Sequence, residues 1–364
     1  MRASYCTTDE GASTAWKAAG LWHNRQPVLE EKQVKPALPA RIGALMVFAM
    51  AMMAAAGLAQ AQVPAKLIFG TNWYPEAEHG GFYQAIAEGL YKKQGLDVSI
   101  KPGGPQVNGL QLLLAGQIDL FMGYDIQSIK VLEQDVPVVT VAATFQKDPT
   151  VIISHPGVTR LEELKGRPIA IGSASDNTFW PWLRARFGFS DSQKRPYAFS
   201  VQPFLADKRL SQQGYVTSEP YSVQKGGVKP VVFLLADQGY PPYAQTIVVT
   251  RDTLARRGDA VKRFIQASAE GWKRYLQAPA PGNALIKKDN PQMEDDLIAH
   301  GISTMKQYAL VTGGDAARQG IMTMTDARWK QTHEFMLSAG LVKPGVDYRR
   351  AYTLELVKDI KVLP

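Results

Sequence analysis

Trp73, Tyr74, Glu76 and His79 fall within one short stretch, Asn72-Trp-Tyr-Pro-Glu-Ala-Glu-His79. An aromatic face, carboxylates and an imidazole on one loop suit the capture of a flat polar molecule. The ring offers a π-face to stack on, and the polar groups orient what is stacked. Asn72 opens the stretch, and Pro75 stiffens it, which lowers the ordering cost of binding. A plainer reading makes Trp73 a half-buried packing residue and leaves Glu76 and Glu78 solvated. A second group, Gln213-Gly-Tyr-Val-Thr-Ser-Glu-Pro-Tyr221, places Glu219 and Tyr221 at a proline-marked turn. Glu219 there either accepts hydrogen bonds from an amino group on a heterocycle or favours a helix N-terminus through its charge. In Met122-Gly123-Tyr124-Asp125 the glycine lets backbone approach a ligand, so that Tyr124 or Asp125 reaches it; the alternative is a glycine turn with an exposed Asp. Gly172-Ser-Ala-Ser-Asp-Asn-Thr178 offers Ser173 and Ser175 at a helix start. Free amides at such a start hold an anion or a carbonyl oxygen, or the Ser and Asp side chains simply cap the helix. Trp180 and Trp182 follow, and one of them is expected to face the cleft.

Catalytic chemistry finds little support. His79, His155, His300 and His333 have no neighbour at metal-ligand spacing, and the single cysteine, Cys6, lies near the start of the chain. No Gly-x-Ser-x-Gly or P-loop is present. The expectation is a protein without enzyme activity, metal or cofactor.

Strand-like and helix-like runs alternate over the rest of the chain, which marks α/β units with largely parallel strands. Strands are expected at Lys66–Gly70, Val98–Lys101, Ile118–Met122, Val138–Ala143, Val151–Ser154 and Pro168–Ile171, then at Phe199–Gln202, Val231–Leu235 and Thr246–Thr250. Helices are expected at Gly80–Glu88, Val107–Ala115, Gln127–Gln134 and Ser173–Phe187, then over Asp252–Leu276, Met293–Met305 and Asp315–Ala339. A strand ending in a loop that opens onto a helix puts Trp73 to His79 at the carboxyl edge of a sheet, where open α/β sheets bind ligands. The pattern restarts near Thr144–Thr150, and Tyr240-Pro241-Pro242-Tyr243 reads as a rigid crossing. The expected division is 62–147 plus 245–364 for one lobe and 148–244 for the other, closing about crossings near 145–150 and 241–245.

Upstream, Lys32, Lys35 and Arg41 flank an apolar run from Ile42 to Leu58, and Ala59-Gln60-Ala61 offers a small-x-small cleavage site. Residues 1–61 therefore read as an N-terminal extension and cleaved signal peptide, with export to the periplasm and a mature chain from about Gln62. A membrane anchor is the alternative, although the run is slightly short for a span of about 20 residues. Residues 1–40 are polar and too long for an ordinary leader, which points to a start codon assigned too far upstream. Of 41 basic and 33 acidic residues, six and four lie in residues 1–61, leaving 35, 29 and a net charge of +6. Basic residues are scattered among acids rather than gathered in a strip, so no nucleic-acid partner is expected.

The run from Asn72 to Ile100, with its Asn-Trp loop, its His and its helix ending near Gly95-Leu96-Asp97-Val98, resembles bacterial solute-binding proteins related to the thiamine-pyrimidine (NMT1/THI5-like) family. The resemblance extends to the Ser-Glu-Pro-Tyr turn. It implies the periplasmic-binding-protein type II fold, with two α/β lobes, a ligand cleft and two crossovers. It also implies a monomer that hands a small molecule to an ABC permease and ATPase of the inner membrane. Members bind pyrimidine precursors, flavins, or sulfonates and nitrate. Trp73, Tyr74 and Glu219 favour an aromatic nitrogen heterocycle, and no Arg stands in the expected ligand loops. Relatives of the fold also include a pyrimidine synthase that consumes its own His and holds pyridoxal phosphate on a Lys. Those positions fall here on Ile129 and Asp125, and the mature chain lacks the cysteine cluster, so that chemistry does not carry over. A sensor that docks on a membrane receptor would look the same in sequence.

Overall fold

The computed structural model describes residues 63–364 except 105 and 198. The export signal expected in residues 1–61, and Cys6, lie outside the described residues.

The first sheet is built from β1 (Ala65–Gly70), β2 (Leu96–Lys101), β3 (Leu120–Gly123) and β4 (Val138–Phe145). Between them run α1 (Gly80–Ala87), α2 (Leu90–Lys93), α3 (Gly109–Leu114) and α4 (Asp125–Lys130). The chain then crosses to a second sheet of β5 (Thr150–Ser154), β6 (Ile169–Ile171), β7 (Lys194–Pro196), β8 (Ser211–Tyr215) and β9 (Val231–Leu234). Its helices are α5 (Phe179–Phe187), α6 (Gln202–Ala206) and α7 (Glu219–Lys225). β10 (Ala244–Thr250) returns to the first sheet. The helices α8 (Arg251–Gln277), α9 (Ala280–Asp289), α10 (Asp295–Gln307), α11 (Ala316–Gln319) and α12 (Asp326–Ser338) follow.

The strand orders are β2-β1-β3-β10-β4 and β7-β6-β8-β5-β9. Within each sheet the βα units pair in parallel. The antiparallel strands are β5 and β10. Each is the first strand after a passage between the sheets. A chain that leaves one sheet at its ligand-facing edge enters the other at that same edge, so its first strand must run backwards.

The loop after β1 is fixed by packing at its far end. On α8, Val261, Phe264, Ile265, Ser268, Trp272 and Tyr275 recur at helical spacing and are buried. α1 lies against them through Gly80 and Gly81, where a Cβ would collide with the rings of Tyr275 and Trp272. Two glycines at the start of α1 thus let the helix sit deep enough to hold His79 and Glu76 in the interior.

Both passages between the sheets are tied to α12. Arg328 Nη2 donates to the carbonyls of Gln146 (3.2 Å) and Pro241 (2.8 Å), and its guanidinium lies over the Tyr243 ring. Asp125 Oδ2 accepts from Tyr243 N and from Thr332 Oγ1, while Oδ1 accepts from Ile126 N. Asp125 is therefore fully buried rather than exposed in a turn or aimed at a ligand.

Two expected elements differ, and one forms where none was expected. Phe199–Gln202 is not extended: Phe199 has φ 54°, and α6 begins at Gln202, with Pro203 in its first turn where a missing N–H costs nothing. The helix expected over Asp315–Ala339 breaks at Gly320, whose φ of 109° no helix accommodates. The Pro-rich stretch after Gln277, for which no element was expected, forms α9, with its prolines at or before the first turn.

Candidate ligand-binding site

A cavity of about 270 Å³ lies where the two sheets face each other. The first sheet's side contributes Asn72, Trp73, Glu76, Asn108, Phe121, Tyr124 and Gln127; the second contributes Thr150, Ser173, Ser175, Phe179, Tyr197, Gln213, Tyr215 and Glu219. No Lys, Arg or His lines it among the described residues.

The loop that carries Trp73 is held from several directions. Thr71 Oγ1 donates to Trp73 O (2.9 Å) and accepts from Gly103 N, which also donates to Trp73 O. Asn290 Nδ2 donates to Pro75 O (2.9 Å). The indole is half-buried and nearly parallel to the Tyr197 ring, at 5° between planes and 6.3 Å between centroids. Two parallel aromatic faces, one from each sheet's side, thus stand at the cavity wall.

A chain of polar groups runs from the core across the cleft. His79 is fully buried, and burial lowers its pKa to about 3, so the ring is neutral. Asn72 Nδ2 donates to Tyr124 Oη (3.3 Å), which leaves Asn72 Oδ1 to accept from His79 Nε2–H at 3.2 Å. Tyr124 Oη in turn bonds the hydroxyl of Tyr215 on β8. His79 thereby orients a cavity residue without lining the cavity.

Glu219 reaches the wall because Gly214 leaves room for it; a Cβ there would stand 2.8 Å from its carboxylate. Both its oxygens are engaged, Oε1 by the Tyr197 hydroxyl (2.5 Å) and Oε2 by Tyr215 N (2.8 Å). Glu219 therefore ties Tyr197 and the end of β8 together. Gln213, two residues before Tyr215, accepts from Gly172 N (2.6 Å) and Ser175 Oγ (2.8 Å) and so shapes the Ser173–Asn177 turn.

Glu76 is different. Its side chain is 4% exposed and opens on the cavity, and among the described residues its carboxyl accepts no hydrogen bond. Burial, with Glu78 and Glu219 nearby, raises its pKa well above the usual range. Glu78 lies behind it, 1% exposed, with Oε1 unpartnered, and burial raises its pKa to about 7. Neither carboxyl is solvated as the plainer sequence reading had it.

Of the residues singled out in sequence, Asn72, Trp73, Glu76, Tyr124, Ser173, Ser175 and Glu219 meet at this cavity. Tyr74 lies just outside, 39% exposed, its ring against Trp73 and Phe199. Trp180 and Trp182 do not face the cleft. Both are buried in the second sheet's core, Trp180 Nε1 donating to Asp191 Oδ1 (2.8 Å); the helix starts at Phe179, and Phe179 takes the cavity position. Tyr221 is misplaced for a related reason. At ~100° per residue it lies on the far side of α7 from Glu219, where its hydroxyl donates to Asp296 and its ring stacks on His300.

Tyr197, Gln213 and Tyr215 were missed. Gln213 and Tyr215 share one face of β8, and period-two reading of that strand finds them. Tyr197 follows a three-residue strand and carries no local signal. Among the described residues no group of three or more His, Cys, Asp or Glu is placed to hold a metal, and no helix is long and apolar enough to cross a membrane.

The chain is 24% identical over 304 residues to the riboflavin-binding protein of Chloroflexus aurantiacus, covering 79% of this chain and 84% of that one. It is 38% identical over 218 residues to the formylaminopyrimidine-binding protein of Halalkalibacterium halodurans, 57% of this chain and 66% of the relative. The crystal structure of the periplasmic aliphatic sulphonate binding protein of Escherichia coli superposes with a TM-score of 0.56 at 17% identity, over 79% of this chain and 91% of the other. That likeness shows the fold, the periplasmic-binding-protein type II arrangement of two α/β lobes with two crossovers. The family profile described as NMT1/THI5 like matches residues 76–281, more than half of the chain. The chain belongs to the NMT1/THI5-like family.

Proposed function

We propose that the chain is the substrate-binding component of an ABC importer. On this reading it is exported to the periplasm and carries a small planar amino-heterocycle, such as a thiamine pyrimidine precursor, to an inner-membrane permease and its ATPase. The observation that carries the reading is a cavity walled by parallel aromatic faces and buried carboxyls, without one cationic side chain among the described residues. A ring stacks on the aromatic wall that Trp73 and Tyr197 build together, and ring-edge donors meet acceptors. A sulfonate or nitrate would find no positive partner there, which disfavours that class. The volume of about 270 Å³ lies at the small end for ligand sites, ~300–1,000 Å³, and suits one ring better than a flavin. A relative named for formylaminopyrimidine binding supports the pyrimidine reading; one named for riboflavin keeps a flavin as the second reading. Enzyme chemistry of the synthase type is disfavoured because Asp125 stands where that enzyme's Lys would be, with its oxygens committed to the fold. Lobes of 62–147 plus 245–364 and of 148–244 would close on the ligand about the passages that Arg328 ties.

A thermal-shift and native mass-spectrometry screen with aminopyrimidines, flavins and sulfonates tests this. Binding of an aminopyrimidine with a rise in melting temperature is expected. Tight binding of a sulfonate or flavin with no response to aminopyrimidines overturns it.

A further inference from the structure

Among the described residues, Glu76 is the one carboxyl at the cavity wall to which the protein offers no hydrogen bond, although it is nine-tenths buried and faces the cavity. Leaving such a group unmet costs free energy unless a ligand meets it. Glu219, by contrast, already serves Tyr197 and Tyr215. The group free to read a ligand is therefore Glu76.

We propose, resting on the amino-heterocycle reading above, that Glu76 enters the site as a carboxylic acid and pairs with the ligand's N–C–NH2 edge. Its O–H points at the ring nitrogen, its carbonyl accepts from the amino group, and Trp73, backed by Tyr197, packs on the ring. A neutral carboxyl carries one donor and one acceptor side by side, the complement of a ring nitrogen next to an amino group. A carboxylate would set a lone pair against the ring nitrogen's own. The surroundings favour the acid. Burial, then Glu78 and Glu219, push the Glu76 titration up. The tyrosines that sense it, Tyr124, Tyr197 and Tyr215, are themselves pushed upward and stay neutral. His79 is neutral, and Asp148, which also faces Tyr124 and Tyr215, is raised to about 6 by burial. Among the described residues no cation stands in the lining to draw the proton off. The ligand class follows: a heterocycle with an amino group beside an unsubstituted ring nitrogen.

The test uses 4-aminopyrimidine and unsubstituted pyrimidine, titrated calorimetrically from about pH 7 to about pH 9 against wild type and Glu76→Gln. Gln presents one donor and one acceptor at every pH. The variant should bind 4-aminopyrimidine within about threefold of wild type at about pH 7 and show no weakening as pH rises. Wild type should weaken by up to about tenfold per pH unit once Glu76 ionises, and pyrimidine should bind at least about tenfold more weakly than 4-aminopyrimidine. A loss of about thirtyfold or more in Glu76→Gln at every pH shows that an ionised carboxylate is required and overturns the proposal. So does equal binding of the two probes. Should Glu76→Gln not fold, wild type decides through its proton balance in buffers of different ionisation heat. No net exchange at about pH 7 is expected, and proton uptake there overturns the neutral acid. Failure of 4-aminopyrimidine to bind wild type at all refutes the amino-heterocycle reading instead, and this inference with it.

Discussion

Glu219→Gln separates a residue that reads ligand from one that holds the wall. In wild type the two oxygens accept from Tyr197 Oη at 2.5 Å and from Tyr215 N at 2.8 Å. Gln has one acceptor for these two donors. The N–H of Tyr215 is fixed in β8, so the amide oxygen stays with it and the amide NH2 turns towards Tyr197. The Tyr197 hydroxyl can accept from that NH2, but its own proton is then left without an acceptor in a buried place. Two bonds to a carboxylate, about 1.5–3 kcal/mol each, become two neutral ones of about 0.5–1.5, with one donor orphaned. Relief of the buried charge offsets part of this, since burial raises the Glu219 titration. A net loss of about 2 kcal/mol in folding stability is expected. Tyr197→Phe alone should cost about 2 kcal/mol, and about 1 once Gln is present, so a double-mutant cycle should show coupling of about 1 kcal/mol. Urea unfolding measures the cycle, and titration with 4-aminopyrimidine and pyrimidine should show equal losses for both. Unchanged unfolding, with a loss confined to the amino-bearing ring, would refute the tether and return the reading role to Glu219.

Three further outcomes are expected. Trp73→Ala should weaken flat ligands of every kind by about 2–4 kcal/mol, in the range of aromatic hot spots; unchanged calorimetric affinity removes stacking from the account. Arg328→Ala deletes the bonds to Gln146 O and Pro241 O and should lower stability by about 2–3 kcal/mol while small-angle scattering reports a more open particle; an unaltered profile argues against a hinge there. Burial holds Glu78 up at about 7 against 4.5 for an ordinary Glu, so the stability it contributes is complete below about pH 4.5 and is lost, by about 3 kcal/mol at most, as pH rises through 7. His79, held down to about 3, works oppositely, losing stability as pH falls below 6.5, so the readout is the difference between wild type and Glu78→Gln, whose unfolding should lack the Glu78 slope.

The architecture was legible because its signals are local. Alternating strands and helices, glycines after helices and the double proline at 241–242 each act within a few residues. The two antiparallel strands were not, since their direction follows from which end of a sheet the chain enters, a property of the assembled lobes. The cavity divides the same way. The loop from Asn72 to His79 is one segment and was found whole, whereas Tyr197 matters only because β7 lies beside β6 and so brings it opposite Trp73. Trp180 and Tyr221 show the opposite error. Both neighbour true wall residues in sequence, and one or two residues of helix turned them onto another face.

The same helix geometry bears on the closure proposed above. α7 presents Glu219 to the cavity at its first residue, while Tyr221 and Lys225 meet α10. Lys225 Nζ pairs there with Glu294 (2.6 Å) and Asp296 (2.8 Å), all three side chains about half exposed or more. Exposed pairs of this kind add little net stability, since solvent screens them, too little to hold two lobes together. The contacts across the cavity are better placed. Trp73 against Tyr197 and Tyr124 against Tyr215 are partly or wholly buried and join residues from the two sheets' sides. A ligand between the lobes adds to those contacts directly, and it shifts the equilibrium only by its preference for the closed form. If the lobes close on a ligand as proposed, closure is decided inside the cavity rather than by the outer pairs on α7.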